Sequence, residues 1–455
     1  MVRSRALTGL ILLALMTVSM PAGAVGTPTQ VKDIRPDAGS SDPNWLTRIG
    51  DTVYFQANDG THGIELWKTD GTGAGTRLVK DIYPVNNLSS GPYGLTNVGG
   101  DLFFAAEDES NGLELWISDG TTAGTRLVKD IFRGASSSVP GGLTAIGSTL
   151  YFYADRAGSG IEPWTSDGTR AGTTLLKDIN PDAPDSNPGD FTRVGDTVFF
   201  VADDGSHGSE LWKTDGTKPG TTMVKDIFKG GAFHEIGDLT NLNGTLLFRA
   251  RTEAEGLELW RSDGTRRGTV MVKDINPGSA NGSPTFFTRV ADTVFFQASD
   301  GTHGVELWKT DGTRGGTVLV KNITPGVSGF GPWPFINVAG TLFFGADDGS
   351  NGNELWKSDG TRAGTVLVKD IFDGSTGSDP TAFANIRGTL YFLATDEAAG
   401  REGWVSNGRS AGTTLIDDIN PSGDSFALGF TLVDGRVVFE ANDGVSGNEL
   451  WRVTP

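Results

Sequence analysis

Residues 59–82 read DGTHGIELWKTDGTGAGTRLVKDI, and residues 300–323 return as DGTHGVELWKTDGTRGGTVLVKNI. The tryptophan of this phrase recurs at Trp67, Trp116, Trp164, Trp212, Trp260, Trp308, Trp356, Trp404 and Trp451, a period of about 48 residues. Two residues before each stands a glutamate: Glu65, Glu114, Glu162, Glu210, Glu258, Glu306, Glu354, Glu402 and Glu449. A fixed period of this length means stacked copies of one supersecondary unit, each too small to bury its apolar face alone. Nine copies fill residues 25–455 and leave no room for a separate domain.

Each copy holds four strand-like pieces, in the first WLTRIG, TVYFQA, IELWKT and TRLVKDI. The second is a β-branched and aromatic run suited to a strand buried on both faces. Asp-Gly and Gly-Thr turns separate the pieces, and 66 glycines supply them. Four antiparallel strands in under fifty residues is the signature of a propeller blade. The predicted fold is therefore all-β: a single β-propeller of about nine four-stranded blades. The first copy is preceded by an orphan fourth strand, TQVKDI, and the ninth stops at a third, NELWRV. Pairing the N- and C-terminal strands would complete one blade and close the ring.

The opening MVRSRALTGLILLALMTVSMPAGAVG has two arginines, an apolar run and an Ala-Gly-Ala site, so residues 1–24 are expected to be a secretory signal peptide. Export to the periplasm or beyond follows, with no membrane insertion. The chain has no cysteine, which suits a bacterial exported protein with a core large enough to do without disulfides. A formal charge of -19 argues against nucleic acid and anionic membranes as partners. A closed ring leaves few free edges, so a monomer is expected.

The phrases ELWKTDGTGAGT, ELWISDGTTAGT, ELWKTDGTKPGT, ELWRSDGTRRGT and ELWKSDGTRAGT resemble the ELWxxDGT repeat family of secreted bacterial proteins. The resemblance covers essentially all of residues 25–455 and implies a propeller and export, but no particular activity. The eighth copy departs from the pattern: Asn407 stands for Asp, Arg409 for Thr and Asp417 for the later Lys. In the third copy Pro163 sits inside a strand, where it lacks a donor and should disturb pairing.

The repeated residues read as architecture. Each indole should pack between blades, its N–H finding one partner. Each glutamate shares the indole's face of the strand. Once buried it must find either the lysine of VKDI (Lys32, Lys80, Lys129, Lys177, Lys225, Lys273, Lys321, Lys369) or backbone amides. Folding the DGTHG hairpin would set Asp203 against Glu210 and Asp347 against Glu354, and facing carboxylates make calcium a possible cofactor there. His62, His207 and His303 occupy one loop position, which tolerance for positive φ would explain. His234 lies outside that rule.

Function is expected where repetition breaks. The stretches joining each fourth strand to the next first strand vary, and they should lie together on one face. They carry Trp45, Tyr93, Phe233, His234, Phe286, Phe330, Trp333 and Phe426, the candidate ligand-binding set. The expected function is a secreted binding module for an extracellular polysaccharide or protein, and not an enzyme. A glycan-acting propeller enzyme and a purely structural envelope or matrix protein are the alternatives. The only local cluster of unusual ionisable residues is Arg251, Glu253, Glu255 and His234, without catalytic spacing.

Overall fold

A computed structural model describes residues 25–36, 39–181, 185–229, 235–324, 326 and 331–455. The expected signal peptide lies outside them, as do Phe233, His234 and Phe330. Thirty-six strands form nine separate four-stranded antiparallel sheets. In blade 1 the inner strand is Asn44–Ile49, the second Thr52–Asn58, the third Ile64–Thr69 and the outer Arg77–Lys80. Each inner strand packs beside that of the next blade, and the ninth packs beside the first. The ring is closed. Blade 9 takes its outer strand, Thr29–Lys32, from the N-terminal side, where it pairs with Asn448–Val453.

The core lies between blades. One cluster joins Val433, Val438 and Leu450 of blade 9 to Val53, Phe55 and Trp67 of blade 1, and equivalents recur around the ring. Phe200 packs against Trp212 with centroids 6.4 Å apart. Between third and outer strands the Asp-Gly-Thr turn closes on itself: Asp70 Oδ1 accepts from Thr72 N (2.9 Å) and Thr72 Oγ1 (2.6 Å). Gly71 there has φ +83°, which glycine adopts without strain.

The buried glutamates take backbone amides, not lysine. Glu65 accepts from Ile82 N (2.9 Å), Ser90 N (3.0 Å) and Ser90 Oγ (2.6 Å). Each such carboxylate thus pins the connection crossing to the next blade. The lysines do something else. All eight reach across a blade boundary, donating to a threonine carbonyl at 2.6–3.0 Å. Each also lies 5.1–5.7 Å over the next blade's tryptophan ring. A desolvated ammonium over an indole is favourable, so the ion pair expected of the lysine gives way to an inter-blade staple. The indole N–H groups also differ from expectation. Trp212 donates to Ala202 O (3.0 Å), while the other eight are buried without a partner.

Pro163 has the anticipated effect. Seven outer strands pair their lysine with the leucine before the tryptophan, as Lys80 does with Leu66, while blade 8, with Gly403 and Asp417 there, stops at Leu415. With no N–H at Pro163, blade 3 keeps an outer strand of two residues, Thr174–Leu175.

Candidate functional site

The crossing connections and the loops between second and third strands share one face, where Gly91 N donates to Ile64 O (3.1 Å) beside the His62 loop. The three loop histidines are not left-handed. Each turns Nδ1 onto the loop aspartate, His62 onto Asp59 (2.7 Å), His207 onto Asp204 (2.8 Å) and His303 onto Asp300 (2.7 Å). Asn111, Asn351 and Ser446 make the same contact in their blades. The position selects a side-chain donor.

The pairings that suggested calcium are not made. Glu210 stands opposite Ala202 and Asp203 opposite Ser209; likewise Glu354 faces Ala346 and Asp347 faces Asn353. One residue of register puts the two carboxylates on opposite faces of the sheet. Asp203 and Asp347 instead cap Gly205 N and Gly349 N, each at 2.7 Å. Among the described residues no group of three or more His, Asp or Glu could hold a metal.

Eight of the nine inner strands begin with a β-bulge. Asn44 pairs with Gln56 but Thr47 with Tyr54, so the intervening residues hold one extra against their partner. The bulge residue is left-handed: Gly94, Gly142 and Gly429 at φ +61° to +70°, and Trp45, Asp190, Asp238, Phe286 and Ala382 at +54° to +60°. Blade 7 has no bulge and carries Pro334 at this place. A bulky residue at positive φ costs of order 1–3 kcal/mol. Trp45 and Phe286 accept that strain where glycine would fit, and both rings stay exposed, by 47% and 42%.

Six of them, Trp45, Gly94, Gly142, Asp190, Asp238 and Phe286, line a cavity of about 1180 Å³ at the mouth of the central channel. Trp45, Tyr93, Phe286 and Trp333 line it together, so half of the expected aromatic set converges. Phe426 does not. It takes the left-handed turn position that Asp42, Val139 and Asn187 hold elsewhere, and its exposed ring stands outside that cavity lining. Arg251 Nη1 lies 4.0 Å from Glu235 Oε2 and is not among the residues lining that cavity.

Sequence reasoning missed the polar half of the wall: Tyr153, Asp190, Asp238 and Arg249. Asp190 Oδ2 accepts from Asp238 N (3.2 Å), and Asp238 Oδ1 accepts from Phe286 N (3.1 Å), a relay along three blades. Arg249 Nε sits 3.1 Å from Asp238 Oδ2. Burial, and then the neighbouring Asp238, raise the Asp190 carboxyl above the usual range. Tyr93 donates to Pro140 O (3.0 Å), and its phenol is pushed up to about 12 by burial and Tyr153. Tyr153 lies over Gly141 so closely that a Cβ there would meet its ring at 2.3 Å.

The signal was present in the second strands. They read TVYFQA, DLFFAA, TLYFYA, TVFFVA, TLLFRA, TVFFQA, TLFFGA, TLYFLA and RVVFEA. The residue before the final alanine varies in an otherwise constant strand: Tyr153 and Arg249 reach the cavity from it, whereas Leu393 packs between blades 8 and 9.

No family model matches the chain, and no curated protein is similar to it. Among solved structures it is similar to puromycin hydrolase, at 14% identity and a TM-score of 0.41, over 91% of this chain and 60% of that one. A structure of prolyl endopeptidases matches at 12% identity and a TM-score of 0.41, over 82% of this chain and 55% of that one. The chain thus spans less than two thirds of either. Since these similar structures belong to hydrolysing enzymes, the expectation that the chain is not an enzyme is corrected, and its exclusion of catalysis is withdrawn. At this level of likeness neither activity passes to the chain.

Proposed function

We propose that this chain is an exported bacterial propeller of the ELWxxDGT type that binds an extracellular polysaccharide at the mouth of its channel. One observation carries the reading. Trp45 and Phe286 hold exposed rings in a backbone conformation that glycine serves better, on the rim of a concave, polar-walled cavity. Strain kept at one spot, with apolar rings left in water, is a cost to the fold that ligand contact would offset. A concave site mixing aromatic faces with a few oriented polar groups suits a chain of sugar rings.

The test sets stability against binding. Trp45→Gly should leave stability unchanged or raise it by about 1 kcal/mol, since glycine is at ease at φ +60°. It should also abolish saturable binding on a polysaccharide array, while Val445→Ala on an outer loop leaves binding intact. A destabilised Trp45→Gly that still binds would overturn the proposal. Blank arrays alongside capture of a protein ligand by the same mouth would do so too.

A further inference from the structure

A second cavity, of about 440 Å³, opens between blades 6 and 7 beside the channel mouth. Phe286 and Trp333 form one side, with centroids 6.1 Å apart and planes at 49°. Gln297, Asp347, Asn353 and Asp379 form the other. Two breaks in the repeat create it. Gly345 stands where other blades carry Gln, Ala, Tyr, Val, Arg, Leu or Glu, and a Cβ there would meet Trp333 O at 2.7 Å, so glycine lets the Trp333 backbone sit where it does. Asn353 stands where five blades carry Ile, Leu or Val: Ile64, Leu113, Ile161, Leu257 and Val305.

The polar atoms left over are mostly acceptors. Gln297 Nε2 is committed to Thr285 Oγ1 (2.9 Å) and Asn353 Nδ2 to Asp379 Oδ1 (3.0 Å). Asp347 Oδ1 is committed to Gly349 N (2.7 Å). One oxygen of each carboxylate and of each amide remains as an acceptor, against one spare N–H on each amide. Among the described residues neither carboxylate forms an ion pair. Arg401 donates to the Asp379 backbone carbonyl (3.1 Å) and to Thr381 Oγ1 (2.8 Å), not to the carboxylate. Two aromatic faces, two uncompensated carboxylates and no spare cation describe a seat for a positively charged group.

We infer that this pocket receives a protonated amino group, so that the propeller prefers polysaccharides bearing free amino sugars to neutral ones. The inference rests on the polysaccharide reading above and deepens it. A primary ammonium beside Trp333 brings three donors and a positive charge to the two carboxylates, whereas a neutral sugar's hydroxyls would leave both charges unneutralised.

Calorimetry at pH 5.5 tests this with three tetrasaccharides of the same linkage: β-1,4-glucosamine, its fully N-acetylated form, and β-1,4-glucose. The expected result is affinity for the glucosamine oligomer roughly tenfold above the other two, the factor a partly desolvated cation–π contact supports. Asp347→Asn with Asp379→Asn should erase that preference while neutral oligomers bind as before, with an unchanged unfolding midpoint as the folding control. Equal affinities in the parent protein, or a preference that survives the double substitution, would overturn the inference and leave the polysaccharide reading standing. Failure of all three oligomers and of the whole polysaccharide array would sink that reading itself. Binding of a lysine-rich peptide without any amino glycan would overturn the inference in favour of a protein partner.

Discussion

Asp274→Asn should stabilise the protein, although it removes a charge from a residue type repeated in eight of nine blades. Asp274 is the aspartate of VKDI in blade 5, and its Oδ1 is buried without a partner. It stands against Glu258, whose carboxyl burial, together with the Asp274 charge, pushes up to about 7 although three backbone amides pull it down. Blade 6 already carries the substitution. Asn322 there turns its amide onto Glu306 Oε1 and Thr324 O, each at 3.0 Å. Transplanted to blade 5, the amide would donate to the carboxylate while its oxygen keeps the weak contact from Gly278 N (3.3 Å). A hydrogen bond to a charged group is worth about 1.5–3 kcal/mol, and a buried unpaired acceptor costs about 1–3. Allowing for incomplete geometry, the net gain should be about 1–2 kcal/mol at pH 8, read as a higher urea midpoint at unchanged slope. The sign with pH follows from the raised carboxyl. Its share of stability is complete below the ordinary 4.5 and is lost as pH rises through about 7. Asp274→Asn should shrink that loss, so its benefit grows from pH 4.5 to pH 8. A loss of stability at pH 8, or a gain independent of pH, would show that Asp274 does not act on Glu258.

Lys225→Met should cost about 2 kcal/mol in urea unfolding, because it strips the donor from Thr269 O (2.8 Å) and the ammonium 5.3 Å above Trp260. Gly141→Ala should destabilise by about 1–3 kcal/mol by driving a Cβ into the Tyr153 phenol. Adding Tyr153→Val, the pairing blade 4 uses at Gly189 and Val201, should restore it, which a double-mutant cycle measures. The hydrogen bond and charge of Asp204 raise His207 above its ordinary value, so its small contribution holds below pH 6.5 and fades as pH rises through the raised pKa. An NMR titration of the His207 ring should move above 6.5, and Asp204→Asn should bring it back.

The fold could be read from the sequence because propeller blades repeat both their turns and their cores. Period, strand count and ring closure all follow from the spacing of nine tryptophans and from two incomplete end copies. Partner choice could not be read so far. The sequence left Glu65 either Lys80 or backbone amides, since alternation along a strand gives the face but not the neighbour across a blade boundary. The lysine's acceptor, Thr125 O, lies in the following copy. The site was half readable for a related reason. Trp45 and Phe286 stand out as aromatics in variable connections, whereas Arg249 and Tyr153 hide inside constant strands. The bulge opposite that strand position, with Asn44 opposite Gln56 and Thr47 opposite Tyr54 in blade 1, leaves no mark in the repeat's alternation.

The irregular eighth copy follows from the closure of the ring. Lys369 reaches from blade 7 to Thr413 O and over Trp404 in blade 8, as each lysine does around the circle. The next lysine would have to do the same in blade 9. That blade receives its outer strand from the N-terminal side, so no Asp-Gly-Thr turn joins its third strand to its outer one. Without the turn the threonine carbonyl that accepts each ammonium elsewhere is missing, so a lysine at 417 would lack its acceptor. Asp417 occupies the place, and Trp451 alone among the nine tryptophans is only half-buried. Asp417→Lys should therefore bring no stability in urea unfolding, although it restores the consensus of the repeat. A gain of about 2 kcal/mol, the value expected of the staple elsewhere, would mean that the lysine acts through the indole alone and that the carbonyl is dispensable.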